Sequence, residues 1–140
     1  MTERTSTTIW KGGLTDGSGS FTVGSGAFGP QDVSWARRTE EPEGATSPEE
    51  LIAAAHSTCY SMALSHGLAQ AGNPPASIDT TAAVTFQPGT GITGVALKVV
   101  GAVPGITAEQ FEEAAQAAKT GCPVSQALSV PITLEVHFSE

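Results

Sequence analysis

The stretch SPEELIAAAHSTCYSMALSHGLAQA, residues 47–71, has the pattern of one long helix and organises the rest of the fold. Ser47 is suited to the N-cap, Pro48 to the first helical position and Glu50 to the third position of a capping box. Gly72 and the Asn-Pro-Pro after it end the helix. After Glu50 the segment contains no Asp, Glu, Lys or Arg, which predicts a helix buried on most of its surface.

A membrane-spanning role is the first alternative for so long an uncharged helix. The segment holds several Ser and His residues, is rich in Ala rather than in Leu, Ile, Val and Phe, and follows acidic residues. This composition favours a central helix packed against a sheet or against a partner subunit.

Composition narrows the class of protein. A chain of 140 residues predicts a single domain, residues 1–140, with a sizeable core. Six Lys and Arg against fourteen Asp and Glu give a net charge of -8, which argues against nucleic acid and anionic membranes as partners. No secretory signal is visible, and two cysteines do not make a disulfide scaffold. We therefore expect a cytoplasmic protein whose thiols are reduced at rest.

The secondary structure is expected in the order βββ-α-ββ-α-β. Hydrophobic alternation and turn residues place the strands at residues 6–10, 19–23, 33–37, 77–86, 92–103 and 132–138. The second helix begins at the N-cap Thr107, with Gln110 completing a capping box, and ends at Gly121. A short helix starts at Pro123, directly after Cys122. Hairpin-connected strands with few helices predict an α+β fold with an antiparallel sheet.

The two cysteines are the candidate reactive groups. Cys59 lies in the middle of the long helix, and Cys122 lies at a predicted helix N-terminus, where free N–H groups and the helix dipole favour a thiolate. Such residues can form a peroxidatic and resolving pair. The alternative is that both are inert, buried thiols that pack as small hydrophobic residues in a structural dimer without enzymatic activity.

Other polar residues leave further alternatives open. His56, three residues before Cys59, is either a core histidine bonded to the backbone, a metal ligand with Cys59, or its base in a Cys-His hydrolase or acyltransferase. No Cys-x-x-Cys or His-x-x-x-His spacing is present, so we expect neither a metal nor a cofactor. Arg37 and Arg38 are either solvated or placed to stabilise a thiolate and hydrogen-bond a peroxide oxygen.

Four segments carry a family resemblance: SPEELIAAAHSTCYSMALSHGLAQAG, SIDTTAAV, AVPGI and AKTGCPVSQAL. From about Arg38 to its C-terminus, the chain strongly resembles the OsmC branch of the OsmC/Ohr family of thiol-dependent peroxidases. The resemblance implies an OsmC/Ohr-like α+β fold, with the sheet wrapped around long central helices in an intertwined homodimer. It also implies a role in oxidative and osmotic stress defence.

The resemblance assigns roles to four residues. Cys59 matches the peroxidatic cysteine and Cys122 the resolving cysteine. Glu49 matches the acidic residue that partners the family's arginine, and Arg38 best matches that arginine, with the adjacent Arg37 as the alternative. The implied enzyme reduces organic hydroperoxides to alcohols through a Cys59 sulfenic acid and a disulfide with Cys122. A small dithiol or a lipoyl-type protein would then restore the thiols.

The spacing of Glu49 and Cys59 bears on the assembly. Ten residues on one helix correspond to about 15 Å along its axis, so a Glu49 carboxylate does not reach Cys59 of its own chain. We therefore expect a homodimer with antiparallel central helices and two composite active sites. A subunit interface would also explain why the helix is apolar on nearly all sides.

Overall fold

The computed structural model describes residues 1–139 and confirms the α+β class. Its strands are β1 (Ser6–Lys11), β2 (Ser18–Val23), β3 (Gln31–Val33), β4 (Ser77–Gln87), β5 (Gly91–Ala102) and β6 (Ile132–Ser139). Its helices are α1 (Trp35–Thr39), α2 (Pro48–Gln70), α3 (Ala108–Gly121) and α4 (Pro123–Ala127). Contacts divide the chain into two compact units, Met1–Leu51 and the part from Ile52 onward. Its assignment to a single domain stays a prediction.

The first unit contains a three-stranded antiparallel sheet in the order β1-β2-β3. The predicted strand at 33–37 is wrong beyond Val33, because the short helix α1 begins there. Ser34 is its N-cap, and the Ser34 Oγ accepts a hydrogen bond from the Arg37 N–H at 3.3 Å. This cap stabilises a helical turn in a segment whose Val and Trp residues by themselves favour a strand.

The second unit contains a three-stranded sheet in the order β4-β5-β6. Strands β4 and β5 form the predicted antiparallel hairpin, and Gly89 in its turn and Gly91 at the start of β5 have φ values of 84° and 112°. Strand β6 pairs with β5 in parallel, so the expectation of an entirely antiparallel sheet is wrong here. The reason is the connection: the chain between β5 and β6 passes through α3 and α4 instead of a hairpin, and such a crossover returns it in the same direction.

The starts of the longer helices follow the predicted signals. At α2, the Ser47 Oγ accepts a hydrogen bond from the Glu50 N–H at 3.1 Å. At α3, Thr107 and Gln110 form the complete capping box. Helix α4 begins directly after Cys122, which is its N-cap. These local signals fix where α2 and α4 begin, and with them the positions of both cysteines.

One face of α2 is buried and the other is open. Tyr60, Leu64 and Leu68 repeat every four residues and are buried in a core that also contains Val95, Leu97, Val99 and Phe111. On the opposite face Met62 is 67% exposed, and Ala54, Ala55, Thr58 and His66 are also exposed. The expected burial of α2 on most of its surface is therefore wrong for the single chain, because the chain supplies packing partners on one side. Within residues 1–139, none of the helices combines the length and hydropathy needed to cross a bilayer.

Candidate active site

The second unit brings the two cysteines together. Cys59 lies in the middle of α2 and is partly exposed, whereas Cys122 lies between α3 and α4 and is 0% exposed. Their side chains are in hydrogen-bonding contact, and both thiols are free. A partly exposed cysteine in contact with a fully buried one is suited to sequential thiol chemistry.

The two thiols have opposite pKa shifts. Burial raises the pKa of the Cys59 thiol, and the contact with Cys122 raises it further, while the backbone N–H of Val124 works against both effects. Burial also raises the pKa of the Cys122 thiol, but hydrogen bonds from the Ser125 backbone, the Cys59 thiol, the Ser125 hydroxyl and the Val124 backbone outweigh it, so the net pKa is lowered. Within the second unit, Cys122 is therefore the more acidic thiol.

The backbone N–H groups that lower the Cys122 pKa lie at the N-terminus of α4. Cys122 is the N-cap but makes no conventional side-chain cap hydrogen bond. The Val124 and Ser125 N–H groups in the first turn of α4, which have no carbonyl partner within the helix, make the backbone contribution to the lowered Cys122 pKa. This bears out the sequence argument that a helix start favours a Cys122 thiolate.

A buried His–Ser pair lies beside Cys122, and sequence reasoning missed it. His56 Nε2 and Ser125 Oγ are 2.7 Å apart, and His56 is 0% exposed. His56 Nδ1 has no hydrogen-bond partner among residues 1–139, and burial lowers the pKa of the ring, which keeps it neutral. The sequence offered no signal for this pair, because 69 residues separate its members.

This arrangement bears on the alternatives for His56. One ring nitrogen bonds to Ser125, and neither ring nitrogen hydrogen-bonds Cys59 among residues 1–139, so the geometry gives no support to a Cys59–His56 pair. The expectation of a core histidine is correct as to burial but wrong as to its partner, which is a side chain and not the backbone.

In the first unit, Arg38 forms a salt bridge with Glu49. Arg38 Nε lies 3.1 and 3.2 Å from the two Glu49 carboxylate oxygens, and its Nη2 lies 2.7 Å from Oε1. Glu49 is only 7% exposed, and the Arg38 guanidinium lies 5.9 Å from the ring centroid of Trp35. Arg37 instead bonds to Glu43 at 2.7 Å. The forked geometry fixes the orientation of the Arg38 guanidinium, and of the two arginines it is Arg38 that pairs with Glu49.

An apolar cavity of about 510 Å³ lies beside Arg38 within the first unit. Its walls include Trp10, Leu14, Phe21, Trp35 and Leu51. A cavity of this size with one cation at its wall is suited to a small molecule that has an alkyl body and a polar head.

The chain is similar to several known proteins in sequence and in fold. The family model described as OsmC-like protein matches residues 41–137. The chain is 48% identical over 132 residues to Peroxiredoxin OsmC of Escherichia coli strain K12, covering 92% of each sequence. It also superimposes on an OsmC-like protein of unknown function from Vibrio cholerae, with a TM-score of 0.75 at 18% identity, covering 97% of this chain and 99% of the other. The organic hydroperoxide resistance protein OhrB of Bacillus subtilis gives a TM-score of 0.65 at 21% identity, covering 96% and 98%.

The fold and the contacting thiols define a two-cysteine protein with an OsmC/Ohr-like fold. Since the family model spans more than half of the chain and the curated relative is nearly half identical to it, the chain belongs to the OsmC family.

Proposed function

We propose that the protein is a two-cysteine thiol peroxidase that reduces organic hydroperoxides to alcohols. The observation that supports this most directly is the contact between the partly exposed Cys59 thiol and the fully buried Cys122 thiol. An oxidant that arrives from solvent meets Cys59 first, and the sulfur that completes the disulfide already lies beside it. The identity to Peroxiredoxin OsmC supports the same activity.

In the first step the Cys59 thiolate attacks the distal oxygen of the hydroperoxide. The O–O bond breaks, an S–O bond forms, and the alkoxide leaves and takes up a proton to become the alcohol. Cys59 is thereby oxidised to a sulfenic acid.

In the second step the Cys122 thiolate attacks the sulfur of the Cys59 sulfenic acid. A disulfide forms, and hydroxide leaves and takes up a proton to become water. A dithiol, either small or carried as a lipoyl-type group on a protein, then reduces the disulfide and is itself oxidised. This closes the cycle without a metal or cofactor on the peroxidase.

The first step requires a cation near Cys59. Burial raises the pKa of the Cys59 thiol, which disfavours the thiolate that must attack. We assign this cation to Arg38, whose forked donors can also bind the departing oxygen. Glu49 is its positioning residue, because its carboxylate holds the guanidinium through three hydrogen bonds.

The Arg38–Glu49 pair is delivered by the second subunit of a homodimer. Glu49 and Cys59 are ten positions apart on the same helix, about 15 Å along its axis, which is too far for the Glu49 carboxylate to reach the Cys59 of its own chain. The open face of α2, with the 67% exposed Met62, supports contact with a second copy of the chain, since exposed apolar faces mark interfaces. Antiparallel packing of two α2 helices would complete two equivalent sites.

The substrate class follows from the surroundings of the reacting groups. Cys59 packs against a hydrophobic core, and Arg38 borders an apolar cavity of about 510 Å³. Burying the alkyl group of an organic hydroperoxide in such surroundings is favourable. Hydrogen peroxide has no alkyl group and does not gain this binding free energy. We place this reaction in the cytoplasm, where dithiol reductants are maintained, and in the defence against oxidative and osmotic stress.

Steady-state turnover with a dithiol reductant tests the proposal. We expect tert-butyl hydroperoxide and a fatty-acid hydroperoxide to be reduced with a kcat/KM at least about tenfold above that for hydrogen peroxide, since burial of a few alkyl carbons is worth more than 1.4 kcal/mol. Dithiol oxidation without protein is the control. Equal turnover of all three peroxides would contradict the assigned substrate class, and no turnover of any of them would contradict the function.

A further inference from the structure

The buried His56–Ser125 pair has no part in the chemistry described so far, yet it adjoins the buried cysteine. Ser125 Oγ lies 2.7 Å from His56 Nε2, and its hydroxyl also hydrogen-bonds the Cys122 side chain. His56 is 0% and Ser125 8% exposed. The three side chains thus form a continuous hydrogen-bonded row, from α2 to the sulfur atom.

The direction in which the hydrogen bonds of this row are donated follows from His56 Nδ1. His56 Nδ1 is buried and has no hydrogen-bond partner among residues 1–139. A neutral imidazole carries one N–H, and a buried N–H without an acceptor costs more than a buried lone pair without a donor. The proton therefore belongs on Nε2, which donates to Ser125 Oγ. The Ser125 hydroxyl, having accepted this bond, is free to donate onward.

We propose that His56 and Ser125 are positioning residues for the resolving step: His56 Nε2–H donates to Ser125 Oγ, and Ser125 O–H donates to Cys122 Sγ. The term resolving rests on the function proposed above. The row holds the Cys122 sulfur as a thiolate aimed at Cys59. No proton needs to move along it, because a donated hydrogen bond stabilises the anion by itself.

Among residues 1–139, two other titratable groups interact with Cys122, and both belong to α2. One is Cys59, whose thiol is its redox partner. The other is Tyr60, whose pKa is raised mainly by burial and whose hydroxyl donates to the Ala115 carbonyl at 2.9 Å. Tyr60 therefore stays neutral when Cys122 ionises, and the Ser125 hydroxyl is the side-chain donor from α4 that responds to this charge.

The test measures the thiolate of Cys122 directly, in a Cys59→Ser background where a single thiol remains. The probe is the ultraviolet absorbance of the thiolate as a function of pH. We expect Ser125→Ala to raise the midpoint by about one pH unit, the usual effect of losing one hydrogen bond to an anion. Ser125→Thr, which keeps the hydroxyl, is the matched control and should leave the midpoint within a few tenths. An unchanged midpoint in a folded Ser125→Ala protein would overturn the proposal.

The disulfide-forming step gives a readout that a purely structural role would not move. With both cysteines present, Ser125→Ala should form the disulfide about tenfold more slowly at pH values below the Cys122 midpoint. It should recover the parental rate at high pH, because a thiolate of higher pKa is at least as nucleophilic. Slow disulfide formation at every pH would mean lost packing and would contradict the proposal.

A measurement on the unmutated protein covers the case in which Ser125→Ala does not fold. Long-range nitrogen–proton NMR reads the tautomer of each histidine, and His56→Leu assigns the His56 signals. We expect a protonated Nε2 and a bare Nδ1 in His56, and the opposite tautomer would overturn the proposal. If the parent forms no disulfide with any hydroperoxide, the proposed function fails, while the thiolate titration and the tautomer still decide this inference.

Discussion

Cys59→Ser is expected to abolish hydroperoxide reduction, lowering kcat/KM by several orders of magnitude, as the loss of a covalent nucleophile does in other enzymes. A hydroxyl keeps the size of the thiol but is not ionised at neutral pH, and serine has no equivalent of a sulfenic acid. Turnover of tert-butyl hydroperoxide with a dithiol reductant measures the effect. The fold should be unaffected, because Cys59 is only partly buried.

Cys122→Ser is the matched variant, since it makes the same atomic change at the other sulfur. We expect one rapid oxidation per chain and then a stalled Cys59 sulfenic acid, which a sulfenic-acid reagent such as dimedone traps. Normal turnover by Cys122→Ser with a protein dithiol would contradict the resolving role. Normal turnover by Cys59→Ser, with Cys122 alone reacting, would reverse the order of the two cysteines.

Arg38→Ala is expected to lower the rate of Cys59 oxidation by about 10²–10³, the usual cost of removing one donor to a developing oxyanion. Its pH profile should also move upward, because loss of a neighbouring cation raises the pKa of a thiol and less thiolate exists at a given pH. Arg37→Ala is the matched control, since Arg37 bonds to Glu43 and not to Glu49. Equal losses in the two variants would contradict the assignment of Arg38.

Mixed dimers test whether Arg38 serves the partner's cysteine. A dimer of one Cys59→Ser chain and one Arg38→Ala chain holds one intact composite site, if the site takes its arginine from one chain and its cysteine from the other. Random reassortment of the two inactive variants should therefore restore about a quarter of the parental activity. If each site is built within one chain, every mixed dimer stays inactive, and no activity returns after refolding the two together.

The elements that sequence reasoning predicted correctly are those with a local cause. The Ser47 and Thr107 caps lie within three residues of their partners, and the alternation in β4 and β5 lies in the strands themselves. Cys122 was placed at a helix start by the Pro that follows it. Such signals can be read from the sequence because the residues that determine each element lie within it or a few residues from it.

Most of the misses involve relations across the chain, and one depends on a local cap. The parallel pairing of β5 and β6 depends on the route through α3 and α4, which no strand pattern records. The helix α1 replaced a predicted strand because one Ser34 cap outweighed β-favouring residues. The His56–Ser125 bond joins two helices that are distant in sequence, and only the folded structure brings them together.

Whether Cys59 and Cys122 act as one redox pair can be measured in a single turnover. Reduced protein is mixed with one equivalent of tert-butyl hydroperoxide, and free thiols and intact mass are measured. We expect both thiols of each chain to be lost rapidly, the mass to fall by two hydrogen atoms, and a peptide map to join Cys59 to Cys122. Thiols that survive excess hydroperoxide, or a chain that gains oxygen without forming this disulfide, would contradict the redox pairing.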